Sequence, residues 1–124
     1  MSRPRGPKSI SAFAVRTRDC FQDPDDASVS EVTVVRCALP HDNEAFHTFD
    51  LPDGAFDADH IEQAATIRCK GAFPAYVGIP YQDSALFVDW MKPSARSWEH
   101  GDRRVICILY GDTPTTGSAW KTRK

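Results

Sequence analysis

Four cysteines, Cys20, Cys37, Cys69 and Cys107, are scattered along a chain of 124 residues with no Cys-x-x-Cys pair among them. That spacing limits what the chain can become. A structural zinc site usually draws its ligands from two close pairs, so no metal is expected. Two disulfides are expected instead, and with them an oxidising compartment. Spacing alone leaves all three pairings open. A Cys20–Cys37 bridge would close a loop of about 16 residues and contribute about 3 kcal/mol by restricting the unfolded chain.

The remaining composition is that of a soluble globular chain, 41% hydrophobic and 26% charged. Fifteen basic and seventeen acidic residues give a net charge of −2, which lacks the basic excess of a nucleic-acid-binding surface. No apolar run approaches the roughly 18 residues that read as a membrane-spanning helix. Met1 to Ile10 is basic but is followed by no hydrophobic stretch of signal-peptide type. The chain therefore reads either as cytoplasmic or as starting after a removed export segment, and the cysteines favour the second.

Residues 1–14 read as a disordered leader, 15–120 as one α+β domain and 121–124 as a basic tail. Within the domain, Asp23-Pro24-Asp25-Asp26 is a turn cluster. The β-branched run Val32 to Cys37 is a strand. Glu44 to Leu51 alternates, with Ala45, His47, Phe49 and Leu51 on one face and Phe46, Thr48 and Asp50 on the other, and makes a second strand. Asp59 is expected to cap a helix in which Ile61, Ala65, Cys69, Ala72, Phe73 and Tyr76 recur at three- and four-residue steps. Pro74 predicts a kink or break near Phe73, and Gly78-Ile79-Pro80 stops the helix. Leu86 to Trp90 is a third strand. Pro93 to His100 is a short helical turn with Ser94 as N-cap, and Arg103 to Tyr110 is a central strand. The expected architecture is a mostly antiparallel sheet of about four strands with one main helix on a face. In that layout Cys69 on the helix and Cys107 on the central strand are placed to staple helix to sheet. Cys20 and Cys37 would tie the N-terminal segment to the first strand.

Several of these stretches recur in one order. They are Asp19-Cys20-Phe21, then Val34 to His41 with its Pro40-His41 pair, then Cys69 with Phe73 to Gly78, then Trp98 to Cys107 containing Gly101-Asp102-Arg103. Together, over about residues 18–120, they resemble the actinobacterial septum formation domain family. The resemblance implies an exported domain facing the cell envelope, often behind a membrane anchor and a flexible linker. It supplies no catalytic residues. The chain departs from the pattern in showing no anchor or signal and in carrying Pro74 inside the helix motif.

Candidate sites follow from residue chemistry. His41 and Glu44 are the candidate acid–base or metal pair, against which stands a His41 that simply bonds a turn carbonyl. His47 reads as a packed or rim histidine, and His60 and His100 as exposed. Trp98, Asp102 and Arg103 form the densest polar-aromatic cluster. As a binding surface, it would use Trp98 as a stacking platform and Arg103 as an anion fork. As a stabilised turn, it would place Gly101 at positive φ and pair Arg103 with an acid such as Asp89. Asp50, Asp53, Asp57 and Asp59 do not fit a calcium loop and read as a solvated turn leading into a helix cap. No Gly-x-Ser-x-Gly elbow, HExxH motif or Gly-rich phosphate loop occurs, so no cofactor is expected. The leading expectation is a non-catalytic extracytoplasmic domain that binds a cell-envelope protein or a small ligand. The alternative is a small-molecule enzyme, cyclase- or isomerase-like, with His41, Glu44, Asp102 and Arg103 in one pocket.

Overall fold

A computed structural model describes residues 7–23 and 31–124. Residues 1–6 and all of the expected turn cluster except Asp23 lie outside the described residues. The elements run β1 (Lys8–Ser11), a 3-10 turn (Ala12–Ala14), β2 (Cys20–Gln22), β3 (Glu31–Val35) and β4 (His41–Asp50). They continue with α1 (Ala58–Val77), a second 3-10 turn (Tyr81–Asp83), β5 (Phe87–Met91), α2 (Ala95–Glu99) and β6 (Arg104–Thr115). The strands form one sheet in the order β1-β3-β2-β4-β6-β5. Every pairing among the described residues is antiparallel.

The fold is therefore α+β as expected, but the sheet has six strands rather than about four. The two additional strands are short. β1 falls within residues 8–14, which the sequence assigned to a leader. Its one apolar residue, Ile10, sits opposite Val32 and packs against a core cluster, while its polar residues suit a sheet edge. β2 is three residues long and takes its strand geometry from pairing with β3 and β4 on its two sides.

Two cores lie on opposite faces of the sheet. On one face α1 buries Ile61, Ala65, Cys69, Phe73, Tyr76 and Val77 against Phe46, Phe49, Leu51, Val105, Cys107 and Leu109. On the other face a smaller cluster of Ala12, Val15, Phe21, Val32, Val34, Ala45, Ile106 and Ile108 closes over β1 to β4 and β6. The two faces trade places along β4 at a bulge between Ala45 and His47. One additional residue there shifts the strict alternation expected for this strand. Phe46 consequently joins Phe49 and Leu51 in the helix-covered core instead of facing away from them. Its ring meets Phe73 edge-on at 5.8 Å.

α1 runs unbroken for 20 residues with Pro74 inside it, so the expected break near Phe73 does not occur. Pro74 stands on the exposed side, and its own carbonyl still accepts from the Gly78 N–H at 2.9 Å. The N-cap is Asp57, two residues before the expected Asp59, and its side chain accepts from the His60 N–H at 3.1 Å. Gly78 at φ +102° ends the helix in the left-handed conformation that glycine tolerates. The basic tail docks there. The N–H groups of Lys121 and Arg123 donate to the carbonyls of Tyr76 and Val77 at 2.8 and 2.9 Å, which would otherwise end the helix unpaired. Ser94 caps α2 as expected, with a reciprocal bond to Ser97.

Both disulfides form. Cys20–Cys37 joins β2 to the turn after β3, and Cys69–Cys107 joins α1 to β6 with both cysteines fully buried. The second closes the longer loop, of 38 residues against 17. By loop-closure entropy it contributes about 4 kcal/mol against about 3 kcal/mol. Replacing Cys69 and Cys107 together by alanine should therefore cost more stability in urea unfolding than replacing Cys20 and Cys37, the fold being retained in both.

Candidate functional site

His41 and Glu44 lie at the start of β4, and both are almost fully buried at 1% exposure. Glu44 is the polar hub of the molecule. Its Oε2 accepts from the Tyr76 hydroxyl of α1 and from the Ser118 hydroxyl at 2.6 Å. Its Oε1 accepts from the Ala119 N–H at 2.8 Å. Burial first, and then this bond to Glu44, push the Tyr76 phenol well above its ordinary range, so it stays a donor. His41 is held as firmly. Its Nδ1 donates to the Leu39 carbonyl at 2.8 Å, and its Nε2 is hydrogen-bonded with the Thr115 hydroxyl at 3.3 Å. Each polar atom of the pair is therefore engaged within the fold.

Cys20, His41 and Glu44 each place a potential ligand atom within 4.8 Å of the others. The Cys20 sulfur belongs to a disulfide, however, and offers no thiolate to a metal.

Trp98, Asp102 and Arg103 come together as the sequence suggested, in the form of a braced turn. Trp98 is 9% exposed, and its indole N–H donates to the Gly54 carbonyl at 3.0 Å. Phe56 meets the ring edge-on, and the Arg103 guanidinium lies 3.7 Å from the ring centre. One face of the expected stacking platform is thus covered from within. Arg103 pairs with Asp53 at 3.0 Å rather than with Asp89, and also donates to the Trp98 and Asp102 carbonyls. Asp102 accepts from the Ser97 hydroxyl and the Arg104 N–H, and Gly101 takes φ +93°. Asp102 also borders a wide, shallow concavity shared with exposed Phe13, Arg96 and His100.

The single pocket expected for His41, Glu44, Asp102 and Arg103 does not exist. His41 pairs with Thr115 at one end of the β4–β6 ladder, and Asp50 pairs with Arg104 at the other. Glu44 and Asp50 are six strand residues apart, about 20 Å. His47, between these ends, is half-buried; partial burial first, and then the charge of Arg68, hold its imidazole below the ordinary value.

A second concave site was not visible in the sequence. Between His41 and Asn43 the β4–β6 register jumps, so that Thr115 faces His41 while Tyr110 faces Asn43. The residues between them on β6, Gly111 to Pro114, arch away. Beside the arch, on the sheet face opposite α1, lies a groove of about 490 Å³, within the range of small-ligand sites. Its floor is apolar, with Phe21, Ile108 and Met91. Asp23, Asp42, Asp89 and Asp112 also line it. Pro114 was the available signal, because proline inside a strand marks a bulge. Asp42, Asp89 and Asp112 come from three different strands, Asp23 follows β2, and the four share no motif.

A family model described as septum formation matches residues 8–121. The chain belongs to the septum formation family. Searches of curated proteins and of solved structures each gave no match. The match takes in β1 and both disulfides of this septum formation domain, together with the Glu44 hub and the groove.

Glu44→Ala should leave three donors without their carboxylate and lower stability by about 3–5 kcal/mol, read by urea denaturation. Gly101→Val should lower the melting temperature by several degrees. Space is open around an added side chain there, so the loss would reflect backbone strain alone.

Proposed function

We propose that this septum formation domain is a non-catalytic binding module that works outside the cytoplasm, in the cell envelope, in the service of septation. The observation that carries the reading is the pair of disulfides. Cys69–Cys107 sits in the middle of the main core, with both residues at 0% exposure. Such a bridge persists where thiols are kept oxidised. The family membership supports the link to septation. Binding rather than catalysis is supported by His41 and Glu44, whose polar atoms are bonded to Leu39, Thr115, Tyr76, Ser118 and Ala119. A general acid or base must reach its substrate's proton, and here neither side chain has an atom to spare. The groove beside the β6 arch is the surface on which we place the binding.

The test is the redox state of the protein in its native host. Cells quenched in acid and alkylated with a mass-tagged maleimide before reduction should yield protein with no added tag, and four tags only after reduction. Four tags before reduction would place the domain in a reducing compartment and overturn the reading.

A further inference from the structure

We propose that the groove beside the β6 arch binds a short peptide segment of a protein partner, bearing arginine or lysine next to apolar residues. This inference rests on the binding-module reading and names the partner's chemistry.

The groove has two chemically distinct parts. The floor of Phe21, Ile108 and Met91 offers apolar surface. At its margin Tyr110 is 36% exposed and stacks at 5.4 Å on Phe87, itself 40% exposed. The polar part carries one sign of charge. Asp23, Asp42, Asp89 and Asp112 line the groove, and among the described residues no lysine, arginine or histidine does. The chain as a whole has nearly as many basic as acidic residues, 15 against 17, so the segregation is local. The described ion pairs, Lys92 with Glu62 and Arg103 with Asp53, involve none of the four. Their known partners are neutral groups. Asp42 accepts from the Asp23 N–H at 2.8 Å, Asp23 from the Asn43 amide at 2.7 Å, and Asp89 from the Trp90 N–H at 2.8 Å.

Acids gathered on a concave wall repel one another, and their field adds within the concavity. An incoming cation relieves that repulsion. Arginine and lysine also carry long apolar stems, which lie along an apolar floor while the charged head stays at the polar edge. An arginine adds a planar fork matched to carboxylates. A groove of about 490 Å³ holds a few residues. That size suits a short segment held by alternating apolar and cationic side chains.

The experiment uses the oxidised domain and three blocked tetrapeptides: Leu-Arg-Leu-Arg, Leu-Lys-Leu-Lys and Leu-Glu-Leu-Glu. Amide chemical shifts are followed during titration. The two cationic peptides should shift the amides of Asp42, Asp89, Tyr110 and Asp112 with dissociation constants of about 1 mM or tighter. Added salt should weaken them. The acidic peptide should leave these amides unmoved. The Asp89→Asn/Asp112→Asn variant keeps the side-chain volumes and should bind the arginine peptide about tenfold more weakly with its melting temperature unchanged. If that variant fails to fold, the salt dependence and the acidic peptide carry the test alone.

Four results would overturn the proposal: no shift with either cationic peptide up to about 5 mM, equal shifts with the acidic peptide, shifts confined to another surface, or concentration-dependent shifts without peptide, which would assign the groove to a second copy of the chain. Equal binding of the acidic peptide would leave the binding-module reading standing. Free thiols in the host would remove that reading without touching the groove.

Discussion

A carboxylate buried between a sheet, a helix and the last segment of the chain is the constraint on which this structure turns. Glu44 must leave water to occupy its place, and a buried polar group does so without heavy cost only when its oxygens are hydrogen-bonded. The three donors come from parts of the chain far apart in sequence, Tyr76 on α1 and Ser118 and Ala119 after β6. None of these parts can move without unpairing the others. Glu44 thereby ties α1 and the segment after β6 to the sheet, alongside the backbone bonds of Lys121 and Arg123 to the end of the helix. His41, three residues earlier, repeats the device on a smaller scale by linking the turn at Leu39 to Thr115.

The two disulfides act in the same direction but hold different parts. Cys69–Cys107 fastens the contact that Glu44 orients, between the helix and the sheet. Cys20–Cys37 holds the N-terminal half, where β2 is only three residues long and the second core is small. Cys20–Cys37 thus reinforces the smaller core, while Cys69–Cys107 sits in the middle of the larger one. The irregularities of the β4–β6 ladder serve other ends. The bulge at Phe46 carries an aromatic ring into the main core, and the arch at Gly111 to Pro114 opens the groove on the opposite face.

Much of this was legible in the sequence where local patterns are strong. The β-branched run before Cys37, the periodicity from Ile61 to Tyr76, the Ser94 cap and the Gly78 stop each have a local cause, and each appears in the fold. The layout these elements implied also placed Cys69 across from Cys107. The rest depends on contacts between distant residues. Lys8–Ser11 becomes a strand only because β3 is there to pair with it. Phe46 changes face because of one bulge, and α1 passes Pro74 because the ring faces solvent. Glu44 was singled out for the right chemistry, a carboxylate near a histidine, but its partners lie 32, 74 and 75 residues away. The groove was illegible for the same reason, being assembled from residues of five strands, β2 to β6, and the arch.

The reach of Glu44 also bears on time. A chain is made from its N-terminus, and β4 is complete long before residues 118 and 119 exist. Until then the carboxylate lacks two of its three donors, and the central ladder lacks β6 altogether. Pairings this distant close slowly. The carboxylate therefore finds its full set of partners only once residues 118 and 119 have joined the fold. What closes the hub is thus a contact between sequence-distant segments, made after the local turns and the helix can form.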